Sequence, residues 1–173
     1  MEIPGQSGDV IVKVVTNETV RMRISTKGRY ALRVMIDLAS HKEGEFVKLQ
    51  DLSTHQQISE KYLEGILGTL VRGNFLEGAR GKAGGYRLKC NPKECSVWDI
   101  LSMTETSVAP VACLDDKKNA CKRAAICITL PVWTELDQVI RDYLGSVKLD
   151  QLAKKAQKVR GTAGIGKEWN CEL

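Results

Sequence analysis

Cys113, Cys121 and Cys127 fall within one short polar stretch, VACLDDKKNACKRAAICITLP, at C-x7-C-x5-C spacing. Thiolates are soft donors that suit iron–sulfur clusters, zinc or copper. Structural zinc sites favour knuckles of two to four residues between cysteines, and neither interval here is that short. A loop with wider intervals can wrap a wider object. No secretory signal precedes these cysteines, so the sequence predicts a cytoplasmic chain with reduced thiols, where clustered cysteines hold metal more often than they form disulfides. A thiol redox switch, a zinc site and unused cysteines are the competing readings.

The remaining reactive residues point away from catalysis. The only two histidines, His41 and His55, are distant in sequence from the cysteine trio and read as surface residues. Neither a glycine-rich phosphate loop nor a paired-carboxylate motif is present, and no histidine stands near a clustered cysteine to activate it. Cys90 and Cys95 flank a turn and read as structural, and Cys171 reads as a bystander in the tail. The chain is therefore predicted not to be an enzyme.

Composition bounds the rest. The 173 residues suffice for a real core, with 43% hydrophobic and 27% charged side chains, ordinary for a globular protein. No apolar run approaches the roughly 18 residues of a membrane span. The charge is unevenly spread: residues 22–89 carry twelve basic and seven acidic side chains, a surplus equal to the net +5 of the whole chain. Such a basic segment is the expected footprint of a surface facing phosphates.

The elements that must position these residues are legible from periodicity. Residues 1–21 show no helical period and are read as an extension outside the fold. From Thr26 to about Ser40, Tyr30, Ala31, Val34, Met35, Leu38 and Ala39 recur at helical spacing, with Arg29, Arg33 and Asp37 off that stripe. A second helix is expected over Leu49–Gln56. Ser59 is a good N-cap for a third, in which Tyr62, Leu63, Ile66, Leu67 and Leu70 form the buried stripe. Two short strands, about Phe75–Ala79 and Gly85–Lys89, flank the basic tip Arg80-Gly81-Lys82-Ala83-Gly84. Three helices and a basic hairpin follow the order of a winged helix-turn-helix. A short helix from Ser96 to about Met103 leads into the cysteine loop. Pro131 is read as the first residue of a long helix whose face Val132, Leu136, Val139, Ile140, Tyr143 and Leu144 packs on the core or on a twin helix. A last helix is expected over Leu149–Ala156, then a loose glycine-rich tail. The prediction is a mainly α chain with a small β-hairpin wing: a winged helix domain over 22–89, a cysteine-loop and dimerisation region over 90–156, and a flexible tail over 157–173.

MRISTKGRYALRVMIDLA (22–39), ISEKYLEGIL (58–67) and RGKAGGYRL (80–88) together resemble the IscR-type (Rrf-type) family of bacterial winged-helix regulators, from Met22 to about Ala153. The resemblance implies a homodimer on a near-palindromic operator in double-stranded DNA, with the third helix in the major groove and the wing at the minor groove. It assigns Glu64 a base-reading role, which suits a carboxylate that accepts from cytosine N4, and Arg80 a minor-groove role. Ser59, Lys61, Tyr62 and Gly81 join this candidate DNA-binding set, and Arg29 and Lys82 are read as phosphate contacts. The residue after Glu64 departs from the family: Gly65 replaces its usual glutamine, a potential adenine reader.

The resemblance also implies that Cys113, Cys121 and Cys127 ligate an iron–sulfur cluster, [2Fe–2S] in the first reading and [4Fe–4S] in the second. The fourth donor is open. Family members place a histidine three residues after the last cysteine, or an aspartate on the first helix, and these positions are Leu130 and Arg29 here. Asp115, Asp116, Glu105, a remote cysteine and an exogenous thiol are the choices. The implied function is a regulator of cluster-biogenesis genes that senses a cluster. The alternatives are a nitric-oxide or redox-sensing repressor of the same family, and a CymR-like cysteine-metabolism repressor acting through a protein partner.

Overall fold

In the computed structural model, which describes residues 24–81, 83–115 and 121–163, helix α1 (Thr26–Ala39) starts at Ser25, whose Oγ accepts the Gly28 amide at 3.1 Å. An N-cap hydroxyl of this kind satisfies one of the donors that a helix start leaves unpaired. α2 (Leu49–Gln56) and α3 (Glu60–Arg72) follow, joined at Gln57, which sits in the left-handed region at φ 54°. Val34 and Met35 of α1, Leu52 of α2, and Leu63, Ile66 and Leu67 of α3 are buried together, as their spacing predicts.

The wing is the antiparallel pair β1 (Leu76–Ala79) and β2 (Gly85–Leu88), in register Leu76 to Leu88 and Ala79 to Gly85. A short third rung, unread in the sequence, pairs Val47 with Tyr86 through two backbone hydrogen bonds of 2.9 and 2.8 Å. It anchors the wing to the loop ahead of α2. Gly85 permits this approach: its φ is +151°, and a Cβ there would collide with the Val47 carbonyl. Gly85→Ala is therefore expected to cost at least about 2 kcal/mol and lower the melting midpoint by roughly 4–8 °C, checked by thermal denaturation.

α4 (Val97–Thr104) opens with a capping box in which Ser96 and Asp99 exchange hydrogen bonds. Two short 3-10 turns, Ala112–Leu114 and Ala124–Ile126, lie in the cysteine loop. α5 (Leu130–Ser146) begins one residue earlier than expected, with Pro131 at its second position, where a missing amide also costs no helical bond. Ile140 and Leu144 of α5 pack with Val97, Trp98 and Leu101 of α4 and with Val108 in a second apolar cluster. α6 (Leu149–Ala163) runs seven residues beyond the predicted Ala156, into the segment read as a loose tail. The helix persists because Ala153 and Ala156 bury against α1 and each further residue adds a hydrogen bond to a helix already nucleated. Gln157 Nε2 also donates to the Ser40 carbonyl at 3.3 Å. Residues 1–21 and Cys171 lie outside the described residues, as do Lys82 and Asp116.

Asp37, Tyr62 and Glu105 depart from the sequence reading. Asp37, placed off the apolar stripe of α1, is fully buried. Tyr62, counted in the buried stripe of α3, is 43% exposed. Its ring meets that of Tyr30 edge to face at 6.0 Å, on the rim of the core. Glu105, a candidate metal donor, instead accepts from Ser25 N at 3.1 Å and Ser25 Oγ at 2.8 Å, holding the start of α1 against the end of α4.

Candidate functional site

The outer face of α3 gathers the residues read as DNA-facing. Lys61, Tyr62, Glu64 and Gly65 are all exposed there, while Leu63, Ile66, Leu67 and Leu70 turn inward. Ser59 occupies the N-cap position, but its hydroxyl makes no cap bond and is exposed. The helix is held in place from α1. Arg33 donates to Gln56 Oε1 at 3.1 Å and to the Gln56 carbonyl at 2.9 Å, pinning the end of α2 just before the turn into α3. The same guanidinium lies 5.4 Å from the Tyr30 ring centroid, so Arg33, Tyr30 and Tyr62 form a continuous chain from α1 to the reading face.

A Cβ at Gly65 would meet nothing within 4 Å, so the residue that replaces the expected glutamine leaves an open space on that face. At the wing, Arg80 and Gly81 are exposed at the tip, and Gly81 takes φ +102° to turn the chain. Arg87, by contrast, is engaged within the wing: it pairs with Glu77 at 2.9 Å and stacks 4.5 Å from the Phe46 centroid. Arg29 is half-buried on α1 and donates to Thr26 Oγ1 at 3.2 Å.

Cys113 is half-buried in the first 3-10 turn, which packs against α5; Cys121 is exposed; Cys127 is half-buried beside α5. Asp115, one choice for a further donor, accepts from the Ser107 hydroxyl. The Cys127 thiol lies 3.4 Å from Thr129 Oγ1, and that contact lowers its pKa below the usual thiol value. The three sulfurs are not drawn within the 4.8 Å of one another that a single ion would need. The donor chemistry nonetheless fits an iron–sulfur cluster: none of the three is in a disulfide, and a cluster distributes its cysteines over more than one iron.

Cys90 and Cys95 behave differently. Their thiols interact across the turn, which lowers the Cys90 pKa, while the same interaction and burial push Cys95 well up. Because the thiolate is the nucleophile, a brief iodoacetamide pulse near neutral pH is expected to alkylate Cys90 at least about tenfold faster than Cys95. Peptide mass spectrometry would measure the ratio, and equal rates would contradict the assignment.

Residues missed in the sequence also come together. His41 and His55, read as scattered surface side chains, both meet the buried Asp37. The helical i, i+4 spacing of Asp37 and His41 was the available signal.

A profile described as Rrf2, iron-dependent transcriptional regulator, matches residues 24–155. The chain is 34% identical over 136 residues to the HTH-type transcriptional regulator IscR of Pectobacterium atrosepticum, covering 79% of this chain and 82% of that protein. Among solved structures it is similar to CymR (YrzC), the global cysteine regulator of B. subtilis, at 32% identity and TM-score 0.62, covering 77% of this chain and 97% of that one. It is also similar to T. potens IscR, at 28% identity and TM-score 0.63, covering 80% and 90% respectively.

Proposed function

The chain belongs to the Rrf2 family of transcriptional regulators, and from that premise we propose that it reads its operator as a homodimer and senses an iron–sulfur cluster held by Cys113, Cys121 and Cys127. It is a regulator and not an enzyme. The observation that carries the sensing reading is the placement of three thiols, none in a disulfide, within one loop whose first turn packs against α5. When bound, a cluster supplies iron–thiolate bonds that are made or lost with iron supply and oxidation.

This chain's own residues do the rest. Lys61 and Glu64 present a donor and an acceptor to base edges from the exposed face of α3, and Arg80 reaches the minor groove. On α5, Val132, Leu136, Val139 and Tyr143 form an exposed stripe at spacings of four, three and four residues, while Ile140 and Leu144 pack inward. A bare apolar seam of that period supports pairing with a second copy. Ile128, two residues ahead of α5, is also bare, at 94% exposed. Ordering of the loop against α5 would then bias the spacing of two reading heads. A hundredfold change in operator affinity requires only about 2.7 kcal/mol of such bias. The [2Fe–2S] form and control of cluster-assembly genes are the favoured details, supported by the likeness to IscR along most of the chain.

Anaerobic purification with iron and sulfide assays tests this. A coloured protein whose operator affinity changes when the iron is removed is expected, and a colourless, zinc-loaded preparation would overturn it. The reading head has its own test. Arg80→Ala is expected to weaken operator binding roughly 5- to 30-fold and to flatten its salt dependence by about one counterion, measured by fluorescence anisotropy across a salt series. Unchanged affinity and slope would remove the wing from the interface.

A further inference from the structure

Apart from the cysteine loop, the fold builds a second set of metal-suited donors from the only two histidines in the sequence. Asp37 is fully buried near the end of α1, His41 lies one turn further on, and His55 comes from the last turn of α2. Asp37 Oδ2 is 3.2 Å from His55 Nδ1, and Asp37 Oδ1 is 3.8 Å from His41 Nε2. One donor atom from each residue lies within 4.8 Å of the others. Two donors each about 2.1 Å from a shared ion stand roughly 3.0 Å apart at octahedral angles and roughly 3.4 Å apart at tetrahedral ones. The 3.2 Å separation, a hydrogen bond without the ion, lies between these values, and the other donors, within 4.8 Å, must close on binding.

The surroundings have the form of an outer shell. Gln56 Nε2 donates to Asp37 Oδ2 at 2.9 Å, and Gln56 is itself fixed by Arg33 at 3.1 Å. His41 Nδ1 faces Glu45 Oε1 at 3.9 Å, leaving Nε2 as the nitrogen turned to Asp37. Orienting partners of this type set the tautomer and direction of a ligating imidazole. The rings are nearly parallel, 14° apart with centroids 6.2 Å from each other. They are 25% and 17% exposed, so an ion can reach them from solvent.

We propose that Asp37, His41 and His55 form a binding site for a divalent first-row transition ion, separate from the cysteine loop. Two imidazoles and a carboxylate favour zinc or ferrous iron over magnesium, which prefers oxygen donors alone. The ion ties the end of α1 to the end of α2, immediately before Gln57 turns the chain into α3. It therefore braces the element that carries the reading face. The site does not depend on the cluster reading.

The test uses the full chain with Cys113, Cys121 and Cys127 replaced by serine and metal removed, so that failure of the cluster reading has no bearing on it. Zinc is titrated by calorimetry and, in parallel, by imidazole nitrogen NMR, in which each of the two histidines gives its own signals. One zinc per chain, with both imidazoles shifting and magnesium unable to compete, is expected. His41→Gln and His55→Gln should each weaken zinc at least tenfold. The spectrum of the unsubstituted histidines decides the matter even where a variant fails to fold. No zinc uptake, or uptake that leaves the imidazole signals unmoved, would overturn the site; in the first case Asp37 is only a polar tie between the two helices.

Discussion

Cys121→Ala is expected to leave a colourless protein holding less than about a tenth of the parent's iron after anaerobic purification. Its operator affinity should become indifferent to iron. The expectation rests on where the three thiols sit. Cys113 lies in a turn packed on α5 and Cys127 is hydrogen-bonded beside the start of that helix, so substitution of either would disturb the α5 surroundings as well as remove a donor. Cys121 is exposed and lies outside both apolar clusters, so its replacement removes a sulfur without removing core contacts. Surface substitutions of that kind usually change stability by no more than about 0.5 kcal/mol. Loss of colour at an unchanged iron-free melting midpoint is thus the informative pair of results. Iron retained at parental stoichiometry would show that Cys121 is no ligand and would return the loop to a switch or an unused set of thiols.

If the proposed pairing through α5 holds, Val139→Asp should leave a monomer at micromolar concentration where the parent is a dimer, and weaken operator binding by a factor of about one hundred or more. Val139 is central in the exposed stripe of α5, flanked one turn away by Leu136 and Tyr143. A carboxylate there would have to be desolvated in the paired state and left in water in the single one, which favours separation. Two linked reading heads gain affinity from the second contact being intramolecular, and that gain reaches 10²–10⁴. Light scattering after size exclusion measures the first effect and anisotropy with a full-length operator the second. Because Val139 is 62% exposed and lies outside both apolar clusters, the monomer should keep its helical content. A dimer of parental stability would place the seam elsewhere.

Much of the reading head was legible because its core is built from one-sided apolar stripes. Val34, Met35, Leu63, Ile66 and Leu67 recur at intervals that only a helix can bury together, and the glycines around Arg80 mark the hairpin. What escaped depends on contacts between distant segments. Asp37 occupies a buried position with a polar side chain, so a hydrophobic pattern assigns it to the wrong face; its partners, Gln56 and His55, come from another helix. The pairing of Val47 with Tyr86 is a single rung, too short for alternation to reveal. Tyr62 has the spacing of a core residue, but a ring of that size reaches the rim, where its edge contact with Tyr30 suffices. α6 outlasts the expected Ala156 because Gln157, Lys158 and Arg160 are good helix formers on an existing turn, which the glycines of the tail mask in the sequence. The cysteine trio was evident from spacing, whereas its relation to α5 came only with the packing of the first 3-10 turn.

Glu105 closes α4 and also receives both the amide and the hydroxyl of Ser25. The backbone continues from it toward Cys113, so this carboxylate, together with the packing of Leu32 on Leu101, ties the segment that leads to the thiols to the leading edge of the first helix. A displacement of that segment would therefore bear on the Ser25 end of α1 through a side chain bonded to it twice.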